Sequence, residues 1–454
     1  MLARGVALCV VVGLGLCAQV VSAQTNERTY ESFQSRVITP GARAIGMGKA
    51  FIGVADDATA AASNPAGLSN LSRVEISLEG TFARFETPRM IAVNPVRTRS
   101  FGESAASLSF ASVVFPLTRV PGFGRVTLAV FKNTRQRQRD TFAIPNFDGE
   151  GRRIPQGGYW GSIDISEDEL GVSLAYLVND RLSIGGTVRR DSLKSRVVSN
   201  TSDASAPDAL NFRSGSVAVG DDHKVSMDLG VLFRLSGRAT VGASYQPGVT
   251  FDTTTTIRGV FTLDCIFDPV AQRCSNPTLP VEQISGFENP EFQTDFRIPS
   301  RFIAGASARV TPNLLLVIDG AFVRYSERIT GKFLIVDFLA QPSHLLSRAT
   351  YRVPDALEIH AGGEYRLRWS GKMIAIRGGV FTDPDHQMKF VMSASARTPV
   401  ARGQEIQFNS FEPGTKFGGA FGVGTVLRNR FQIDVAVSRS FYEQQLVAST
   451  VYRF

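Results

Sequence analysis

Between Arg73 and the C-terminus the chain alternates. Apolar and polar residues exchange at every step over runs of about ten positions, the period of an extended strand with two different faces. In Phe431 to Phe441 one face carries Phe431, Ile433, Val435, Val437 and Phe441, and the other carries Gln432, Asp434, Ala436, Ser438 and Ser440. Arg439 falls at the outer end, where a long basic side chain reaches lipid headgroups. Val74 to Phe85 sets Val74, Ile76, Leu78 and Phe82 against Glu75, Ser77, Glu79 and Thr81. Val225 to Leu235 sets Met227, Leu229, Val231 and Phe233 against Asp228 and Arg234, and Leu357 to Leu367 sets Leu357, Ile359 and Tyr365 against Glu358, His360, Glu364 and Arg366.

About fourteen such stretches can be counted, near 73–86, 101–117, 124–135, 167–178, 181–196, 224–235, 238–258, 293–310, 313–328, 354–368, 371–383, 415–427, 430–441 and 446–454. The connections alternate in length. Asn179-Asp180, Ser236-Gly237, Thr311-Pro312, Ser370-Gly371 and Arg428-Asn429 read as tight turns, and segments near 136–166, 197–223, 259–292, 329–353 and 384–414 read as long loops. An even strand count with short turns at one end and long loops at the other predicts an all-β fold, a transmembrane antiparallel barrel with both termini on the periplasmic side.

The N-terminus agrees with export. Arg4, an apolar run from Gly5 to Val21 and the small-residue site Val21-Ser22-Ala23 read as a signal peptide over 1–23. A lipoprotein needs a small residue before Cys17, where Leu16 stands. No later apolar run reaches the roughly 18 to 20 residues of a spanning helix. Cys9 and Cys17 leave with the signal; Cys265 and Cys274 remain, nine positions apart in a polar segment with no His beside them, a spacing that suits a local disulfide in an oxidising compartment more than a metal site. The net charge of +8 is spread along the chain, which argues against nucleic acid and fits a surface beside anionic lipopolysaccharide.

The stretch before the strands differs in kind. In Gly41 to Leu71 the glycines Gly41, Gly46, Gly48, Gly53 and Gly67, with Pro65, exclude a long helix and predict short helical turns joined by tight loops. Gly46-Met47-Gly48-Lys49-Ala50 is not a phosphate loop, because Arg43 stands where its first Gly belongs and Ala50 where it needs Ser or Thr. Asp56 and Asp57, being adjacent, suit capping or turn roles better than an acid/base pair. Gly41-Ala42-Arg43, Gly46-Met47-Gly48, Ala55 to Ala60 and above all Asn64-Pro65-Ala66-Gly67-Leu68 resemble the N-terminal hatch of FadL-type outer-membrane transporters of long-chain fatty acids and other hydrophobic compounds. Shorter echoes are Ile298 to Phe302, Thr311 to Leu314 and His360 to Leu367.

The resemblance implies a hatch over 24–72 plugging a barrel over 73–454, with Asn64, Pro65, Ala66 and Gly67 as the gate. In that family the Asn-Pro-Ala abuts a kinked third strand, through which ligand leaves sideways; here Arg125 to Arg135 has no internal Gly or Pro to mark a kink. The C-terminal run ending in Tyr452-Arg453-Phe454 resembles the strand signal that the barrel assembly machinery reads.

The inward faces mix charge with apolar patches, as in 313–328, where Leu315, Val317, Ala321 and Val323 share the side of Asp319. That mixture suits a fatty-acid-like ligand, a greasy tail and a carboxylate that Arg can fork. Arg301, Arg309, Asp319 and Arg377 are the candidate lumen contacts, with Phe142 and Trp160 in an outer capture surface. Mutual pairing of these charges around the plug is the competing reading. No Gly-x-Ser-x-Gly elbow is present, and three of the four histidines fall in loops, so neither enzyme nor cofactor chemistry is expected. The expectation is a monomeric outer-membrane barrel taking up a hydrophobic small molecule; its rivals are a secretion-associated barrel binding protein partners and a general diffusion porin.

Overall fold

The computed structural model describes residues 38–93, 95–117, 125–147, 150–203, 211–262, 267–268, 273–274, 291–328, 332–336, 345–370, 372–391, 409 and 414–454. Fourteen antiparallel strands close into one barrel. They are β1 Glu75–Phe85, β2 Ser104–Pro116, β3 Val126–Phe147, β4 Arg153–Leu177, β5 Leu182–Asp203 and β6 Asn211–Arg234. Strand β7 runs as Ala239–Gln246 and Val249–Thr262, and β8 as Glu291–Ile298 and Arg301–Arg309. The rest are β9 Leu314–Val323, β10 Ala356–Trp369, β11 Lys372–Asp383, β12 Lys416–Leu427, β13 Phe431–Arg439 and β14 Glu443–Arg453. Pairing of β1 with β14, Glu75 opposite Arg453 through Phe85 opposite Glu443, closes the ring.

Alternation is what the wall needs. In β1 every even-numbered residue from Ile76 to Arg84 is exposed and every odd one from Glu75 to Phe85 is buried. The outward set is apolar over most of the circumference: Ile76, Leu78 and Phe82, then Leu170, Val172 and Leu174, Met227 and Leu229, Leu316 and Ile318, Phe421 and Val423, Val435 and Val437. A soluble protein would hide these side chains; a bilayer solvates them. No helix among the described residues is long and apolar enough to cross a membrane.

The wall is lopsided. Strands β12, β13, β14 and β1 have 12, 9, 11 and 11 residues, near the 9–11 that span a bilayer, whereas β3 to β6 have 22, 25, 22 and 24. The stretches near 136–166 and 197–223 expected as loops are therefore largely strand. The side chains turn polar on both faces over Arg135 to Asp140, ahead of an apolar inner layer at Phe142 and Ile144, and a ladder held by Gln136 opposite Glu167 through Pro145 opposite Gly158 keeps the stretch extended. Three small satellite sheets sit beyond the barrel at that end: Thr87–Val93 with Val96–Phe101, Phe267–Asp268 with Arg273–Cys274, and Lys332–Val336, Leu345–Arg352 and Lys389–Val391 together. Tight turns at Asn179-Asp180, Ser236-Gly237, Thr311-Pro312 and Arg428-Asn429 occupy the other end, where Arg428 and Asn429 both take positive φ (51° and 55°) as a primed two-residue hairpin turn demands. Residues 1–23, Cys265 and the side chain of Cys274 lie outside the described residues.

Residues 38–72 fill the barrel near that short-turn end. They form α1 Ala42–Gly46, α2 Ala60–Ser63 and a 3₁₀ turn Pro65–Asn70, each too short to stand alone and each buried against the wall.

Candidate functional site

Small residues on the wall let the hatch backbone approach the strands. A Cβ at Gly185 of β5 would lie 2.4 Å from the Ala66 nitrogen, one at Gly230 of β6 2.2 Å from Asn64 Oδ1, and one at Gly242 of β7 2.5 Å from the Ile52 oxygen. Across the lumen, Gly362 of β10 and Gly379 of β11 are shaped to Met47 and Gly48 in the same way. Gly48 itself has φ +70° and touches the backbone of Ala361 and Val380, so glycine is required there on both counts.

Hydrogen bonds then fix the hatch. Asp319 of β9 accepts the Phe51 N–H at 2.5 Å and the Ile52 N–H at 2.8 Å through one oxygen. The Ser307 hydroxyl donates to the Gly53 carbonyl, Gln246 Nε2 to that of Ala62, and Ser173 Oγ to that of Ala61. Asn64 Nδ2 donates to both the Ile52 and the Val231 carbonyls at 3.2 Å, tying the gate residue to the hatch and to β6 at once. Apolar packing completes the plug: Met47, Phe51, Leu68 and Leu71 join Phe110, Phe131, Leu315 and Val317 in one buried cluster.

Below the hatch, toward the short turns, lies a charged cluster. Glu364 Oε2 accepts from Arg43 Nε and from Arg377 Nε, both at 2.8 Å, and its Oε1 accepts from Arg366 Nε at 2.8 Å. Arg377 also donates to Asp434 at 2.7 Å, reaching past β12 because Gly422 and Gly424 leave that strand bare between them. Arg43 is completed by ion pairs with Asp56 and Asp57. Burial alone would lower the Arg43 pKa, but Asp56, Glu364 and Asp57 raise it and keep the guanidinium charged. Burial pushes the Asp57 carboxyl up, against the pull of Arg43, and Asp57 caps the next turn by accepting from the Thr59 N–H and hydroxyl. A cavity of about 300 Å³ adjoins this cluster.

Above the hatch lies a small polar pocket. A cavity of about 30 Å³, room for a water or two, is bounded by Lys49, Asn133, Arg135, Glu169, Arg301 and His360 among others. Arg301 is buried and reaches Glu358 only at 3.8 Å; Lys49 reaches Glu443 at 3.9 Å and lies over the Phe381 ring at 4.4 Å. Of the sequence candidates, Arg301 and Asp319 therefore border this cavity. Arg309 stands at the short-turn rim and Arg377 in the cluster below. Phe142 belongs to β3 rather than to a loop, buried in an apolar layer higher in the lumen with Ile144, Ile163, Leu193, Phe251 and Phe296, and Trp160 on β4 is 42% exposed.

The wall beside this cavity is interrupted twice. The β2–β3 ladder stops at Phe110 opposite Asn133, just before a bulge at Arg135, and Lys132 Nζ bonds the Leu108 carbonyl there. Between β6 and β7 the ladder ends at Leu229 opposite Tyr245 and resumes only at Val219 opposite Thr254. Pro247-Gly248 breaks β7 at that height and Pro299-Ser300 breaks β8 beside it. From inside, the buried Arg189 spans this second gap, pairing with Asp228 and Asp191 and donating to the Pro247 carbonyl at 3.4 Å. Asn64-Pro65-Ala66 sits against β5, β6 and β7, beneath the β6–β7 gap, and the 3₁₀ turn that Pro65 opens also runs alongside β4 and the third strand. In the sequence Arg189 reads as one inward-facing charge among several, and nothing there marks it as the residue that spans a gap.

Comparison with solved structures follows from this geometry. A FadL homologue of Pseudomonas aeruginosa matches with a TM-score of 0.63 at 15% identity, over 93% of this chain and all of that one. The fold is FadL-type. The CymD monoaromatic hydrocarbon channel (TM-score 0.55, 14% identity, 92% of this chain and 97% of that one) and the Ralstonia pickettii toluene transporter TbuX (0.53, 15%, 94% and 99%) share the FadL-type architecture. No family model and no curated relative matches the sequence.

Proposed function

We propose that this chain is an outer-membrane channel for small hydrophobic or amphipathic molecules, held shut by its hatch and opened by hatch movement. The observation that carries the reading is the conjunction at one height of a plugged lumen, a 30 Å³ cavity and an eight-residue stretch of β7, Gln246 to Thr253, with no ladder to β6. A water-filled porin has no use for such a plug, and a ligand larger than water needs the hatch to yield. Solved proteins of this fold described as a FadL homologue, a monoaromatic hydrocarbon channel and a toluene transporter support the same class of cargo. Arg301 and Lys49, two cations at the cavity with only long ion pairs, favour a cargo with a carboxylate, and long-chain fatty acid is the default. The cargo reaches the cavity through the apolar layer around Phe142 and leaves sideways between β6 and β7.

Two measurements test this. Arg301→Gln is expected to reduce oleate uptake by reconstituted barrels about tenfold and to leave toluene uptake within twofold, since only oleate offers a charge-assisted pair; equal losses would return Arg301 to a structural role. For the exit, Asp252 N–H already bonds the Asp222 carboxylate at 2.8 Å across the outer end of the gap. An Asp222→Cys/Asp252→Cys staple is expected to lower uptake at least fivefold when oxidised, with recovery on reduction, and unchanged uptake would place release at the short-turn end instead.

A further inference from the structure

The outer wall carries a feature that neither uptake nor plugging uses. On the short side of the barrel, strand register aligns Arg84 of β1, Gln444 of β14 and Arg439 of β13 in one row across three neighbouring strands. One step nearer the barrel middle the same register aligns Phe82, Leu446, Val437 and, on β12, Phe421, all about half exposed. Below these, Gly80 opposes Ala448, so the surface falls away; a Cβ at Gly80 would meet nothing nearer than 3.9 Å. The two rows themselves border a groove of about 720 Å³ on the outside of the wall, with Phe82, Leu446, Val437 and Phe421 along it and Arg84 and Arg439 at one end.

The two arginines stand two strands apart, about 10 Å. Arg84 has Glu86 at 3.4 Å, with its own side chain 59% exposed, and Arg439 has no ion-pair partner among the described residues. The basic end lies away from the termini and the short turns, beside the tight Ser440 to Tyr442 connection. An outward-facing guanidinium pair above an apolar groove is poorly matched to hydrocarbon alone and well matched to a ligand with two phosphates on a compact head and several acyl chains. The geometry points to a site for one bis-phosphorylated, multiply acylated glycolipid, lipid A, on the β12–β13–β14–β1 face of the outer leaflet. This rests on the proposed outer-membrane channel and on the orientation expected from the sequence, with the short turns and both termini periplasmic.

The test uses the whole barrel in phosphatidylcholine nanodiscs containing a few per cent of bis-phosphorylated lipid A, with bound lipid counted by native mass spectrometry. One lipid A is expected per wild-type barrel, and Arg84→Gln/Arg439→Gln should lower its retention about tenfold or more. The Lys pair should keep most of it, and Gly419→Leu, which raises a side chain into the groove from its lining and leaves both charges, should lose it. Heat-modified gel mobility verifies that each variant is folded. Equal retention by wild type and the Gln pair, or of lipid A stripped of its phosphates, overturns the site. Orientation is read separately: Asp180→Cys, in a short turn, should resist an impermeant thiol label on intact cells, and labelling there would overturn the orientation whatever the nanodiscs report.

Discussion

Glu364→Ala is expected to destabilise the folded barrel by about 3–5 kcal/mol, the range for removing one partner from a buried ion pair. The residue is on a strand wall, but its two oxygens serve three arginines. Arg377 would keep Asp434, and Arg43 would keep Asp56 and Asp57; each would still lose a 2.8 Å bond in a site from which water is largely excluded. The cost is therefore one of stranded charge more than of lost attraction. Urea unfolding in detergent, followed by heat-modified mobility, gives the value. Glu364→Gln should recover part of it, because an amide oxygen still accepts one bond. Arg43→Ala should cost less than Glu364→Ala, since Glu364 retains Arg377 and Arg366. The reverse ranking would mean that the hatch contact, and not the wall cluster, carries the stability.

Gly379→Val should open the channel without dismantling the wall. A Cβ at 379 falls 2.3 Å from the Gly48 nitrogen and 2.4 Å from the Met47 carbonyl carbon, backbone atoms with no rotamer to absorb the clash. Overpacking of this kind costs roughly 1–3 kcal/mol when side chains can give way, so the upper end applies. The strain falls on a hatch held by side-chain bonds and packing, whereas β11 is laddered to β10 over residues 372–381 and to β12 over 373–383. Planar-bilayer recording should change from little current to a steady conductance, and hatch peptide bonds should become cleavable by added protease. Gly378→Val is the internal control: its Cβ meets nothing within 4 Å, so it should leave the current unchanged. Conductance equal in the two variants would remove the Gly379 contact from the gating argument.

How far the sequence could be read follows from what solvates each residue. Where one face meets lipid and the other the lumen, alternation is enforced, and Phe431 to Arg439 or Glu75 to Phe85 can be assigned residue by residue. Where β3 passes Arg135 to Asp140 both faces carry polar side chains, the constraint lapses, and Arg135-Gln136-Arg137-Gln138-Arg139-Asp140 resembles a loop although it is strand. The hatch is legible as a motif because its conformation depends on its own glycines. Its docking is not, because the matching glycines, Gly185, Gly230, Gly242, Gly362 and Gly379, are distributed over five strands and look like any other strand glycine. Leu315 and Val317 show the same limit: they read as an apolar lining, and what covers them is the plug itself.

The uneven height of the wall has a consequence at the level of the cell. On the proposed orientation, β3 to β6 carry the rim roughly 30 Å past the bilayer on one side, while β13 ends near the lipid headgroups on the other. Among the described residues the tall side then stands highest in the sugar layer, a crest open to a phage tail fibre or an antibody. Its uppermost rim can vary under such attack as long as the apolar layer around Phe142 is kept, because the hatch, the β6–β7 gap and the charged cluster all lie deeper in the barrel.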